Sequence, residues 1–191
     1  MSKPDQELIT ECLGGQTQAF GDLVLRYQNR LFNTLISVLG SVEDARDVAQ
    51  EAFVQAFQKL HLFRGQSAFY SWLFRIALNS AVSLKRKRHR VPVSIEACRE
   101  ESGIEPTDRH PETRPEHALE TNETQDAVRA ALGELAEEQR TVLVLKEMEN
   151  LSYEEIAEIV GCPIGTVRSR IHRARSELRD RLQDILQEPD A

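Results

Sequence analysis

Residues 151–175 constrain the chain more than any other stretch. They hold two short helical segments around a Gly161-Cys162-Pro163 turn. Ser152 and Glu155 have the spacing of a capping box, so a helix is expected to start there, with Ile156, Ala157, Ile159 and Val160 on its buried side. Pro163 is placed to enter the next helix. In that helix Val167, Ile171, Ala174 and Leu178 fall on one apolar seam. Advancing about 100° per residue puts Ser169, His172, Arg173 and Ser176 opposite the seam, with Arg168 beside them. No acidic residue interrupts this helix before Glu177. A capped helix, a tight turn and an acid-free basic helix together have the layout of a helix-turn-helix that lays its second helix in a DNA groove. Arginine can hold guanine O6 and N7 at once, and serine or histidine can make a single hydrogen bond to a base edge. Arg168, Ser169, His172 and Arg173 are therefore the expected readers. Arg170 and Arg175 flank the seam and are expected to meet phosphate or to pack. Lys146 and Tyr153 are placed to anchor the DNA backbone at the other end.

The net charge of −7 seems to oppose a nucleic-acid partner, but its distribution does not. Residues 1–90 carry 12 Lys and Arg against 8 Asp and Glu, whereas residues 91–127 carry 3 against 10. Acidity is thus kept away from two basic clusters, Lys85–Arg90 and Arg168–Arg175, and local charge sets DNA affinity. At 40% hydrophobic and 29% charged the chain can build a core. It has no apolar run of about 18 residues, so no membrane span is expected. The N-terminus lacks a signal-peptide pattern, and cytoplasmic residence is the default. Cys12, Cys98 and Cys162 are widely spaced, suit a reducing compartment and offer no Cys-x-x-Cys pair. No metal or cofactor is expected.

The remaining chain reads as all-α. Residues 5–13 are weakly helical, and Gly14-Gly15 breaks them. From Thr17, Phe20, Leu23, Val24, Tyr27, Leu31, Leu35, Val38 and Leu39 repeat at helical steps until Gly40. Val42–Leu60 follows, with a broad apolar face of Ala45, Val48, Ala49, Ala52, Phe53, Ala56, Phe57 and Leu60. Asp47, Gln50, Glu51, Val54 and Gln58 fall opposite; spacing alone leaves this face either solvated or a partner surface, with Val54 the hint of the latter. After a break at Phe63–Gln66, Ser67 is expected to cap a helix whose core face is centred on Phe69, Leu73, Ile76 and Leu84. Trp72, Arg75, Asn79, Ser83 and Arg86 lie along another side of it. Aromatics stack unpaired bases, amides bond base edges and cations hold phosphates, so this surface suits single-stranded nucleic acid. An aromatic core with a solvated basic helix end is the competing reading. Residues 91–123 are acidic, free of aromatics and punctuated by Pro92, Pro106, Pro111 and Pro115, which is a linker composition. The expected organisation is two small helical domains, 1–90 and 124–191, joined by a flexible acidic linker, 91–123.

Three segments in order, Asp47–Phe53, Phe63–Asn79 and Leu151–Arg175, resemble the bacterial RNA polymerase sigma factors of the extracytoplasmic-function type, in particular the sigma-E-like subgroup. The resemblance covers nearly all of the chain outside the linker. It implies a non-enzymatic subunit that directs promoter-specific initiation, contacting core RNA polymerase, a duplex −35 element and a single-stranded −10 element, under control of an anti-sigma factor and commonly in a stress response. It implies core polymerase contacts at Asp47, Gln50, Glu51 and Val54. It also implies −10 contacts across Phe63–Arg90, with Asn79 at a base-reading position and Phe63 near the loop that receives a flipped base. Lys146, Tyr153, Arg168, Ser169, His172 and Arg173 match −35 contacts. His172 departs from the pattern, standing where close relatives carry an aromatic. A dimeric repressor would need a dimerisation or effector domain, which the N-terminal half does not suggest. An enzyme would need a nucleophile motif or metal-ligand spacing, which five scattered histidines do not supply.

Overall fold

The structure, a computed structural model, describes the backbone of residues 3–90 and 127–187, and side chains within them up to residues 84 and 183. The segment 91–123, Cys98 and the side chains of Lys85–Arg90 lie outside the described residues. Within them the regular structure is helical: α1 Asp5–Leu13, α2 Gln18–Leu39, α3 Val42–Gln58, a 3-10 turn at Leu60–Leu62, α4 Phe69–Arg90, α5 at 127–134, α6 Glu137–Glu147, α7 Tyr153–Val160 and α8 Ile164–Gln187.

Local chemistry explains the breaks. Gly40 ends α2 at φ 73°, a left-handed conformation that costs a side-chain-bearing residue energy. Ser41 then caps α3, its hydroxyl accepting from the Asp44 N–H at 3.2 Å, and Glu43 and Asp44 place negative charge at the positive end of the helix. Ser67 does not cap α4. The first helical bond runs from the Trp72 N–H to the Ala68 carbonyl, so the helix begins one residue later than a Ser67 cap requires. Similarly, Pro163 stands just before α8 and accepts from Val167, rather than lying inside the helix.

The first four helices pack around α4. Its buried side includes Phe69, Tyr70, Leu73, Phe74, Ile76, Ala77 and Ala81, a wider face than the single expected stripe, while Leu84 is only half-buried. The reason is tertiary: α3 covers one side of α4 and α7 another. Conversely, the apolar face of α3 is narrower than expected. Phe57 remains 44% exposed and touches Phe20 edge-on, with ring centroids 5.1 Å apart.

The last four helices form a second group, with α8 against α6 and α7. α6 buries Val142, Leu143, Val144 and Leu145 in succession. A helix apolar on all sides must be covered on all sides. Here α8 takes one face of α6 and α2 takes the other, so the two helical groups share one continuous apolar core.

Polar contacts fasten the same junction. The Arg140 side chain, buried, donates to the Val38 carbonyl at 2.7 Å and the Gly133 carbonyl at 3.0 Å. It thereby serves an end-of-helix carbonyl of α2 that has no intrahelical donor. Glu149, in the loop after α6, is also buried. Its carboxylate accepts from Arg30 Nε at 2.6 Å, from the Tyr70 hydroxyl at 2.9 Å and from the Thr34 hydroxyl. Arg30 lies over the Tyr70 ring, 4.0 Å from its centroid. Burial pushes the Tyr70 hydroxyl well above its ordinary pKa, which keeps it a donor.

Candidate nucleic-acid interface

The helix-turn-helix is built as its spacing requires. Ser152 accepts from the Glu155 N–H at 3.2 Å and the Glu155 carboxylate accepts from the Ser152 N–H at 2.8 Å, closing the capping box. Gly161 turns the chain at φ 68°. Val167, Ile171 and Ala174 are buried and Leu178 is half-buried, which fixes the rotation of α8. The opposite face consequently presents Arg168, Ser169, His172 and Arg173 to solvent. Ser169 donates to the Thr166 carbonyl at 2.9 Å, which leaves its lone pairs outward.

Lys146 and Tyr153 adjoin this face. The Lys146 ammonium donates to the Leu151 carbonyl at 3.0 Å and lies 5.5 Å from the Tyr153 ring centroid. The Arg168 guanidinium lies 5.8 Å from the same centroid. Two cations around one aromatic ring give an anchoring point for phosphate at the N-terminal edge of α8. Arg170 and Arg175 are held by acids of α6, Arg170 by Glu138 and Arg175 by both Nε and Nη2 on Glu147 at 2.9 and 2.6 Å. The hydrogen bond from Glu147 raises the Arg175 pKa, so its charge persists. An exposed pair contributes about 0–1 kcal/mol, so DNA phosphate can take Arg175 from Glu147 at small cost.

The second surface lies on the first helical group. Phe63, Phe69 and Trp72 form an aromatic cluster with centroid separations of 5.2 to 5.8 Å. Phe69 is buried, while Phe63 and Trp72 are half-buried and offer ring surface outward. Arg75 and Asn79 follow on α4 and are exposed. Arg86 continues that helix, but its side chain is outside the described residues. On α3 the structure places Asp47, Gln50, Glu51 and Val54 on one exposed face, with Val54 47% exposed. Glu51 accepts from Gln55 at 2.7 Å on the same face.

Sequence reasoning missed Arg30, Thr34, Tyr70, Arg140 and Glu149. These residues join the two groups rather than facing DNA. Only the left-handed Asn150, at φ 51°, hints in the sequence that the loop carrying Glu149 turns sharply.

Comparison with known proteins gives the same division. Residues 23–91 match the model of Sigma-70 region 2, and residues 125–178 match that of Sigma-70, region 4. The chain is 40% identical to the RNA polymerase sigma-H factor of Pseudomonas aeruginosa over 96% of both chains. It is also 40% identical to the ECF RNA polymerase sigma-E factor of Escherichia coli, covering 95% of this chain and 96% of that one. Among solved structures it resembles CnrH in complex with the cytosolic domain of CnrY, with a TM-score of 0.66 and 29% identity, covering 94% of this chain and 97% of that one. It also resembles the sigma factor RpoE bound to the anti-sigma factor NepR from Bartonella quintana, with a TM-score of 0.68 and 30% identity, covering 86% of this chain and 96% of that one. With both sigma regions in order and curated relatives matched over nearly their whole length, the chain belongs to the extracytoplasmic-function sigma factors.

Proposed function

We propose that this sigma factor grips its promoter at two places with two separate surfaces, while a third surface holds core RNA polymerase. The family activity is promoter-specific initiation by core polymerase, without chemistry of the subunit's own. In this reading Arg168, Ser169, His172 and Arg173 read the duplex −35 element, and Lys146 and Tyr153 set the register on its backbone. Phe63, Trp72, Arg75, Asn79 and Arg86 receive the −10 strand. Asp47, Gln50, Glu51 and Val54 dock on core polymerase. Residues 1–90 and 124–191 are the two functional domains, and 91–123 tethers them. The observation that carries the reading is the exposed, acid-free face of α8, oriented by a buried seam and a closed capping box.

The −10 surface has to repay duplex opening, which costs a few kcal/mol. Stacking is worth about 1–3 kcal/mol per base, so Phe63 and Trp72 with one or two bases can offset it. No helix among the described residues is long and apolar enough to cross a membrane. The chain works in the cytoplasm, where its polymerase is. An anti-sigma factor is its expected regulator, since two similar solved structures are complexes, one of them expressly with an anti-sigma factor. The test is permanganate reactivity of thymines upstream of the start site when the chain and core polymerase are added to promoter fragments. Reactive thymines in the −10 element are expected only with both proteins present. Duplex that stays unreactive on promoters mapped in vivo would overturn the melting role.

A further inference from the structure

The two promoter grips cannot both be used in the arrangement described above. Elements centred near −35 and −10 lie about 25 base pairs apart, roughly 85 Å along B-DNA at 3.4 Å per base pair. In the structure Asn79 of α4 and Arg170 of α8 line one crevice of about 360 Å³, together with Leu78, Val82, Ile159 and Val160. α7 packs directly on α4, the helix that carries the −10 surface. The segment 91–123 is long enough to permit separation, since 33 extended residues reach about 110 Å. Use of the promoter therefore requires the two groups to part.

The junction they part from has a polar anchor. The Glu149 side chain is 4% exposed and every close partner it has across the junction is a donor: Arg30, Thr34 and Tyr70, all from the other group. Arg140 repeats the device in the reverse position, reaching back to the Val38 carbonyl. Such contacts fix one geometry strongly, yet each group regains water when the junction opens, unlike the apolar side chains around it. Interfaces between domains of one chain are of the transient kind by default.

We infer that Glu149 is the latch of a closed, autoinhibited state in which α6 and α7 dock on α2 and α4, so that the chain is its own first inhibitor. The docking surface is the Val38–Leu39 and Leu78–Val82 side of the N-terminal group, and its occupant is the C-terminal group of the same chain. The latch concerns the same surfaces as the promoter reading and rests on it for its consequence, though not for its existence. A protein that binds its partner only when open has an apparent affinity reduced by the open fraction. Releasing the latch should then tighten core polymerase binding without any change in the surface that binds.

The test compares full-length wild type with Glu149→Lys, which sets a cation against Arg30. Small-angle X-ray scattering reads the separation, circular dichroism the helicity, and titration with core RNA polymerase the affinity. The expected result is a compact wild type and an expanded variant of unchanged helicity. Apparent Kd for core polymerase should fall about 10-fold if closed outweighs open by ten to one. A wild type already extended, or a variant as compact as wild type, overturns the latch. Expansion without tighter core binding overturns its inhibitory role. Should Glu149→Lys lose helicity, Glu149→Gln carries the test: partial expansion supports the latch, and unchanged scattering with unchanged affinity overturns it. If neither wild type nor variant binds core polymerase, the promoter reading fails while scattering still decides the latch.

Discussion

Arg173 is where a single side chain can be tested against a single base. It is exposed on α8, opposite a buried seam, and no acid of its own helix lies before Glu177. Arg173→Ala is expected to cost about 1–3 kcal/mol at a −35 site and to relax base preference at one position, measured by equilibrium binding to a panel of single-base variants. Uniform weakening across the panel would make it a phosphate contact instead. Tyr27 gives a test of a different kind. Burial first, and then its hydrogen bond to Asp5, push its pKa up to about 12 from 10.0. The folded state thus holds a proton between pH 10 and 12 that the unfolded chain has lost. Stability from this group is complete below pH 10 and declines as pH rises toward 12, so melting temperature should fall across that window and fall less steeply in Tyr27→Phe. An identical slope in both would remove Tyr27 as a cause. The reading face of α8 was legible in the sequence because helix rotation follows from apolar spacing alone. The partners of Arg170 and Arg175 were not, because Glu138 and Glu147 come from α6, far away in the chain.

Each helix carries its own signature to a different degree. The capping box of α7 and the Gly40 end of α2 were plain in the residues, since both depend on neighbours a few positions away. The width of α4's buried face and the all-round burial of α6 were not legible, because each is set by a second group of helices packing on it. Ser152→Ala opens the capping box and should destabilise α7 by about 1 kcal/mol, visible as a lower melting temperature with the −35 footprint retained at low temperature. On α3, replacing Asp47 and Glu51 with Lys reverses two exposed charges without touching the core. Core polymerase binding should weaken while isolated −35 binding persists. Loss of both together would mean that the fold, and not a docking face, had been damaged.

At the scale of the whole molecule, periodicity showed two helical groups and a tether but said nothing of how the groups meet. That junction is made by Arg30, Thr34, Tyr70, Arg140 and Glu149, whose sequence neighbourhoods resemble ordinary polar helix faces and loops. Long-range pairing of this sort has no local pattern. Its consequence is functional, since one chain must hold two elements roughly 85 Å apart at 3.4 Å per base pair. The most direct measurement is reconstituted transcription from a promoter fragment with core polymerase and the full-length chain, comparing wild type, Arg173→Ala and Asn79→Ala. The account predicts a transcript from one fixed start with wild type. Either variant should weaken it, through the −35 element for Arg173 and the −10 element for Asn79. Core polymerase with wild-type chain that yields no start-specific transcript, or one indifferent to both elements, would contradict it.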